Sequence, residues 1–422
     1  MRASWVLVAY VLSGVIGCGG ARPEVRAALT GTLPELQREI AAAEKREPLS
    51  EQQLEQLARA VAEREITGAN GADGAQQLAV FRPCLQRVEL PMSERAGRGD
   101  EPAAVATLLL FEAGKRDAVD LVTRYQAADS GAFRALAARA SLSSSQAELR
   151  RRYFTDPDER VRRGAFEAAV KAPVAAHLPD LLEAARLDPS GGNRSRAAQA
   201  VGRIGGEAAV LGLMDLFAAG DEQEQLAVLD AWSDPRSFAH GGERQLSRAL
   251  SGAGMVPVSA ASLLLRSRES RAAAIAVLAR AIAEGSDDER RLALSSVPLQ
   301  DLQIKEALEK AAESPSPEVT PLVLSRLAEL PGKAQKARER LEKLAQDKSD
   351  YGLEASYALA QLGSARAISR LEQELSHQRS SRRLRAAITL VGLGKRQRLA
   401  PRLADQDPLV RATLACRLTE VL

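Results

Sequence analysis

The residues of this chain best suited to chemistry are its three cysteines and three histidines: Cys18, Cys84, Cys416, His177, His240 and His377. No HExxH, CxxC, P-loop or GxSxG signature surrounds any of them, so the sequence offers no metal, phosphate or acyl-transfer motif. We interpret His177, before a helix start, and His377, after a helix end, as surface or capping residues. Catalysis needs an oriented pair of groups, and none is visible. The sequence therefore predicts a non-catalytic protein without a metal or other cofactor.

Cys18 stands apart because of the residues that precede it. A basic residue, Arg2, is followed by an apolar run over residues 3–16 and by Gly17. A basic start, a short apolar core and a small residue before the cut are typical of a secretory signal. The run has about 14 residues, fewer than the roughly 20 that a helix needs to span a bilayer. We expect cleavage after Gly17 and no membrane-spanning helix in this segment.

Residues 12–18 resemble the lipobox of bacterial lipoproteins, whose cysteine is acylated and becomes the mature N-terminus. The resemblance implies a covalent lipid on Cys18, which would attach the protein to a membrane of the cell envelope. Leucine is commoner in the family where Val15 stands, and the alternative is an ordinary signal with an incidental cysteine. Gly19 and Gly20 replace the aspartate that favours inner-membrane retention in enterobacterial lipoproteins, which favours the outer membrane.

The composition indicates an all-α fold. Aromatic residues make up 3% of the chain and the hydrophobic set 45%, so alanine and leucine supply most of the apolar surface. These residues have high helix propensity, and the Val, Ile, Thr and Tyr runs typical of strands are missing. The 58 Lys and Arg against 55 Asp and Glu leave a net charge of +3, which is too balanced to indicate nucleic-acid binding.

A repeated helix pair organises most of the chain. The Asp-Pro dipeptides at Asp156, Asp188 and Asp407 each precede apolar residues on one helical face. Aspartate there is expected to cap the helix, and proline to occupy its first position. Glycines in residues 201–206 and 359–363 predict left-handed helix ends. Loops recur about every 27 to 33 residues, a period typical of repeat proteins.

The Asp-Pro-x-x-x-Val-Arg opening and the Leu-Gly turn resemble HEAT repeats, and the short period is most similar to the compact units of phycobilisome lyases. The resemblance implies a right-handed α-solenoid of antiparallel helix pairs that chiefly binds other proteins. It covers residues 143–422 and is weakest over residues 233–268. The predicted domains are a signal peptide (1–17), a lipidated tether (18–29), an N-terminal helical cap or degenerate repeats (30–142), and the solenoid (143–422).

The remaining cysteines are predicted not to pair. Cys84 and Cys416 lie 332 positions apart, and the ends of an elongated array would not meet. We expect both to be small buried hydrophobes rather than a disulfide.

Two basic clusters contain the candidate partner-binding residues. These are Arg160, Arg163 and Glu167 in the first clear repeat, and Arg382, Arg383 and Arg385 near the C-terminus. As a binding surface, they would suit an anionic protein, an acidic glycan or lipid head groups.

The competing interpretation, which we favour, is a solvated face with ion pairs between repeats. In HEAT-type arrays the Val-Arg arginine commonly bonds to an aspartate of the neighbouring repeat. That resemblance implies pairs of Arg162 and Arg411 with Asp188 or Asp405. Asp156 and Asp407 belong to the same set of structural residues.

The predicted function is that of a membrane-anchored envelope lipoprotein that acts as an interaction scaffold for protein partners which the sequence does not name. One alternative is a structural envelope spacer without a specific ligand. Another is a bilin-lyase-like enzyme, which rests on the repeat type alone and therefore on a weak argument.

Overall fold

The computed structural model describes residues 21–313, 316 and 318–420. Gly17 and Cys18 lie outside the described residues. The described chain forms 26 α-helices and no strand, which confirms the all-α fold class. None of the helices in this part is both long enough and apolar enough to cross a membrane.

The helices are numbered in chain order. The first six are α1 (Pro23–Thr30), α2 (Leu33–Arg46), α3 (Glu51–Gly68), α4 (Gly71–Ala79), α5 (Glu89–Ala96) and α6 (Glu101–Glu112). The next eight are α7 (Ala118–Tyr125), α8 (Gly131–Ala140), α9 (Ala147–Tyr153), α10 (Glu159–Lys171), α11 (Leu178–Leu187), α12 (Gly191–Ile204), α13 (Gly206–Ala219) and α14 (Glu222–Ser233).

The remaining twelve helices follow in the same order. They are α15 (Pro235–Ser237), α16 (Glu243–Arg248), α17 (Met255–Leu264), α18 (Arg271–Glu284), α19 (Asp287–Ser296), α20 (Leu302–Ala312), α21 (Thr320–Ala328), α22 (Ala334–Leu344), α23 (Asp350–Gln361), α24 (Ala365–Glu374), α25 (Ser380–Gly392) and α26 (Pro408–Glu420). Short 3₁₀ segments lie at Leu85–Arg87, Ser144–Gln146, Ala175–His177 and Arg396–Ala404, and a π-helical turn lies at Phe238–Gly242.

The chain divides into two compact units. Of the residues that the structure describes, unit 1 combines residues 21–116 with residues 368–420, and unit 2 comprises those within residues 117–367. The division does not follow the boundary near residue 142 that the sequence pattern suggested. The C-terminal repeats belong to the same unit as the N-terminal helices.

Unit 1 is built from segments that are far apart in the sequence. Helix α26 packs against α3 and α4, and the 3₁₀ segment Arg396–Ala404 packs against α2 and α3. Leu57 and Val61 of α3 are completely buried, as are Leu414 and Leu418 of α26. Each fully buried side chain of this size contributes roughly 1.5–3 kcal/mol. Helices α3 and α26, which are far apart in the sequence, therefore share one hydrophobic core.

In unit 2, alternate helices pack side by side, with α8 on α10, α10 on α12 and α12 on α14. Two glycines permit close approach of these helices. A Cβ added at Gly164 would lie 2.7 Å from the carbonyl oxygen of Ala135, and one at Gly202 would lie 2.5 Å from that of Ala231. Any larger residue would force the two helix backbones apart. Close helix contact at a glycine therefore occurs at two places in unit 2.

The Asp-Pro dipeptides differ from the prediction at two of three places. Helices α10 and α12 begin two residues after the proline, not at it. The carboxylates of Asp156 and Asp188 accept hydrogen bonds from the backbone N–H groups two residues later, at 2.8 and 2.9 Å. This bond closes a tight turn that contains the proline, so the helix starts downstream. Of these three prolines, Pro408 alone is the first residue of its helix, as predicted.

The sequence also predicts individual helix starts, helix ends and loops. Ser50, with Gln53 three positions later, predicts a capping box, and the structure confirms it at the start of α3. Gly205 and Gly363 adopt the left-handed conformation after their helices, with φ of +72° and +85°. The glycines within residues 68–74 predict a loop there, which is wrong because α4 already begins at Gly71.

Candidate functional site

Arg162 fixes two loops of unit 2 at once. Its Nε and Nη2 donate to the carboxylate of Asp188 at 2.8 and 3.2 Å. Its Nη1 donates to the carbonyl oxygen of Asp156, six residues earlier, at 2.8 Å. The two charged side chains are only 12% and 3% exposed. The hydrogen bond to Asp188 raises the pKa of the Arg162 guanidinium, so the ionised pair is stabilised.

The same arrangement occurs five times among the described residues, and we call each instance a rung pair. Unit 2 contains Arg134–Asp156, Arg162–Asp188 and Arg194–Glu224, and unit 1 contains Arg383–Asp405 and Arg411–Glu65. In all five, Nη1 also donates to the carbonyl oxygen six residues earlier in the chain. An arginine thus orders the turn before its own helix while it bonds to an acid from another repeat or segment.

The acidic side of the rung pairs is also constrained by the backbone. Asp156, Asp188 and Asp405 each accept an N–H from the residue two positions later. Their carboxylates therefore close a turn and bind an arginine at the same time. Charge-assisted hydrogen bonds to two donors are stronger than neutral ones. Removing one partner of such a buried pair is costly because the other charge stays uncompensated.

The expected pairing of Arg162 with Asp188 is present, but that of Arg411 with Asp188 or Asp405 is wrong. Arg411 pairs with Glu65 of α3, at 2.7 Å from Nε to Oε1. The Asp405 carboxylate is occupied by Arg383, and Arg411 reaches only its carbonyl oxygen. Asp407 accepts the N–H of Leu409 at 2.9 Å and so caps the start of α26.

The candidate partner-binding residues of α10 are engaged within unit 2. Arg160 pairs with Asp158, the residue before α10, and Arg163 with Glu159. Glu167 binds Arg139 of α8 and Arg196 of α12, and so links three neighbouring helices. Arg160 and Arg163 remain accessible, because their side chains are partly exposed.

The candidate arginines of α25 divide into two kinds. Arg383 is nearly buried in its rung pair with Asp405. Arg382 is partly exposed and lies 3.6 Å from Glu374. Arg385 is exposed. Only Arg382 and Arg385 therefore have the accessibility that a contact with a partner requires.

Sequence reasoning missed a second use of arginine, the capping of helix C-termini. Arg95 is completely buried and donates from Nε and Nη2 to the carbonyl oxygen of Ala69, just after α3. It also binds both carboxylate oxygens of Asp100, and this bond lowers the pKa of that carboxyl. Arg396 similarly donates to the carbonyl oxygen of Leu418. A cation is favoured there because carbonyl dipoles concentrate negative charge at helix C-termini.

Arg150, one of three consecutive arginines at residues 150–152, is also completely buried. Its Nη1 donates to the carbonyl oxygen of Ser141 at 2.5 Å, whereas Nε and Nη2 have no hydrogen-bond partner among the described residues. Burial lowers the pKa of this guanidinium. A nearby imidazole, His177, has its pKa lowered by its own burial and by the charge of Arg150.

His177 differs from the expectation of a surface residue. It occupies the position before α11, but it is only 3% exposed and its ring meets Phe154 edge-on, with centroids 5.4 Å apart. His377 is partly exposed and its Nδ1 accepts the backbone N–H of Arg379, which is a capping role.

Cys84 and Cys416 form a disulfide, so the expectation of two separate buried thiols is wrong. Their Cα atoms are 5.5 Å apart and the residues are 2% and 1% exposed. They meet because α26 packs on α3 and α4, a contact that no local sequence pattern shows. One signal was available. With Cys18 assigned to a lipid, an even number of cysteines remained in a chain predicted to be exported.

Each unit also has a cleft beside a rung pair. The cleft in unit 2, of about 420 Å³, has an apolar floor that includes Ala198 and Val228 and lies beside Arg194 and Glu224. The cleft in unit 1, of about 560 Å³, is more polar. It is lined by Gln37, Glu44, His377, Arg383 and Asp405 among others. Burial raises the pKa of Glu44.

No cluster of three or more His, Cys, Asp or Glu side chains that could hold a metal occurs in the part of the chain that the structure describes. What the geometry provides is a set of buried ion pairs, capped helices and one disulfide. No protein-family model matches the chain, and no curated protein is significantly similar to it.

Proposed function

We propose that this protein is a lipoprotein of the cell envelope, anchored by an acyl group on Cys18, and that its mature part is a non-catalytic scaffold for partner proteins. In this proposal the helix pairs form a right-handed, HEAT-like α-solenoid. The observation that carries the proposal is the recurrence of the rung pair, with the same donor atoms and the same six-residue offset at five places. Such repetition is typical of repeat proteins, which chiefly present extended binding surfaces.

The disulfide supports the proposed compartment. Disulfides persist in oxidising environments outside the cytosol. Cys84 and Cys416 form a disulfide inside the core of unit 1, where loss of the bond would disturb the packing of the core. This argument is independent of the lipobox at Cys18, and both favour export. The outer membrane remains the preferred site of attachment.

The distribution of charge supports an interaction role for a small part of the surface. Rung pairs and helix caps account for Arg162, Arg383 and Arg396, among others, and remove them from consideration. Arg382 and Arg385 on α25 remain accessible, together with Arg160 and Arg163 on α10. We propose that these two groups contact an anionic partner surface, with an acidic glycan or lipid head groups as other possible ligands.

Anchoring is tested by fractionating cells that express the full chain or its Cys18→Ser variant. The wild-type protein should be in the membrane fraction, and the variant should be soluble or unprocessed. Membrane attachment of a fully cleaved Cys18→Ser variant would contradict the proposed anchor.

Scaffolding is tested by crosslinking in intact cells, followed by identification of the crosslinked proteins. One dominant partner supports the scaffold, and a diffuse set of neighbours supports a structural spacer without a specific ligand. The Arg382→Glu/Arg385→Glu variant should lose the dominant crosslink. Arg186→Gln, which changes an exposed arginine of unit 2 paired with Asp215, is the matched control and should retain it.

A further inference from the structure

The disulfide of unit 1 is sealed from solvent. Cys84 and Cys416 are 2% and 1% exposed. Thiol–disulfide exchange requires a thiolate to approach a sulfur atom along the sulfur–sulfur axis, so access limits the reaction. Neither a reductant nor an oxidant can reach these sulfurs while α26 lies on α3 and α4.

Helix α26 is held in this place by two sets of charged contacts besides its apolar core. Arg411 on α26 binds both carboxylate oxygens of Glu65 on α3. Arg396, the first residue of the 3₁₀ segment that precedes α26, binds Glu51 at 3.1 Å and donates to the carbonyl oxygen of Leu418. The charged partners are mostly buried, so displacing α26 breaks several contacts together. Exposure of the disulfide by displacement of α26 therefore requires all of these contacts to break.

The sequence order of the two cysteines adds a constraint. Cys84 precedes Cys416 by 332 positions, so it is synthesised long before its partner. Until Cys416 is present, Cys84 cannot form this disulfide, and the part of the core that α26 supplies is missing.

We propose that Cys84 and Cys416 are modified by an oxidant of the disulfide class while unit 1 is open, and that α26 then closes over the bond. The inference concerns maturation of unit 1 and does not depend on what the scaffold binds. It also requires no particular anchor at Cys18.

The chemistry balances as two exchanges. One cysteine thiolate attacks the disulfide of the oxidant, which forms a mixed disulfide and releases one oxidant thiolate. The thiolate of the other cysteine then attacks the protein sulfur of the mixed disulfide and releases the second. Two electrons pass to the oxidant, and the two protons of the cysteines end on the released thiolates or in solvent.

The test uses the full chain with Cys18→Ser, so that only Cys84 and Cys416 can react, and glutathione as the probe. For one reagent pair, here glutathione and its disulfide, reduction of the native protein follows the reverse of the oxidation pathway by microscopic reversibility. We expect reduced glutathione to cleave the native disulfide at least about 100-fold more slowly than in the denatured chain, because the bond must first be exposed by opening. The rate should rise with denaturant in parallel with the opening of unit 1.

Two variants sharpen the result. Arg411→Gln removes the ion pair between α26 and Glu65 of α3 and should accelerate reduction of the native protein. Arg186→Gln in unit 2 should not accelerate it. Reduction at the denatured rate, reduction that is independent of denaturant, or an unchanged rate in Arg411→Gln would each overturn the proposal. So would two free thiols in protein purified from the envelope, measured by intact mass after maleimide labelling.

Discussion

Arg411 in α26 binds Glu65 in α3, and the two residues lie 346 positions apart in the sequence. The Nε–Oε1 and Nη2–Oε2 distances are 2.7 and 3.1 Å. Arg411 also donates to the carbonyl oxygen of Asp405, six residues earlier, as the other rung arginines do. Glu65 therefore takes the place that Asp188 takes for Arg162. Within unit 1, the bonding pattern of the repeats continues from the last helix to an N-terminal one.

Replacing Arg411 should destabilise unit 1 strongly. Arg411→Gln leaves the Glu65 carboxylate buried without its cation, since that side chain is 5% exposed. We expect a loss of about 3–5 kcal/mol in the free energy of unfolding of unit 1. Denaturant-dependent proteolysis with fragment mapping measures this for each unit separately.

The control for this prediction is Arg186→Gln in unit 2. Arg186 pairs with Asp215 at 3.3 Å, but both side chains are well exposed. Exposed pairs contribute about 0–1 kcal/mol, so this variant should remain close to the wild type. Equal effects of the two substitutions would mean that burial of the Glu65 pair does not determine its contribution.

Two arginines of the same helix should respond differently to substitution. Arg383→Gln removes the arginine that donates to both oxygens of the Asp405 carboxylate, of which only 2% is exposed, and leaves only the longer contact of 3.8 Å to Arg402. We expect a cost of about 3–5 kcal/mol. Arg385→Gln, two residues later on an exposed position, should change stability by no more than about 1 kcal/mol. Thermal unfolding of the two variants side by side provides the measurement. A large loss in Arg385→Gln would assign that residue a structural role.

The local features of this fold were predictable because they depend on neighbours in sequence. The capping box at Ser50 and the glycine cap at Gly205 follow from side-chain and backbone chemistry within a few residues. The Arg162–Asp188 pair was predictable from the repeated sequence pattern, since the two residues lie at fixed positions in successive copies of that pattern. The pairing of Glu65 with Arg411 was not predictable, because Glu65 lies outside the repeated sequence pattern. It contacts Arg411 only because α26 packs on α3.

Buried arginines were missed for a related reason. Arginine is mostly exposed in proteins, so a run such as residues 150–152 suggests a basic surface. Arg150 and Arg95 are instead completely buried, where they donate to carbonyl oxygens just after helix ends. The sequence shows the arginine and the helix end separately. Their contact depends on how the helices pack.

Loss of the disulfide should weaken unit 1 more than unit 2. Cys84→Ser removes a crosslink between residues 332 positions apart, which restricts the unfolded chain over a very long loop. We expect a loss of about 2–5 kcal/mol, near the upper end because the loop is long. Limited proteolysis should cut residues 21–116 and 368–420 first. Cys416→Ser should have the same effect, and a stronger effect of either variant on unit 2 would contradict this assignment.

The stability of unit 2 should fall as the pH decreases below about 6.5, because of His177. Its pKa in the folded protein is lowered from the ordinary 6.5 by burial and by Arg150, with a smaller lowering from Arg151 and opposing effects of Asp180 and Glu148. Between the folded and ordinary values the unfolded chain binds more protons, so acidification favours unfolding. The free energy of unfolding should decrease by at most about 1.4 kcal/mol per pH unit in this range. Denaturation midpoints of wild type and His177→Gln at pH 7.5 and 5.5 test this, and a wild-type loss that persists unchanged in His177→Gln would assign the pH dependence to another group.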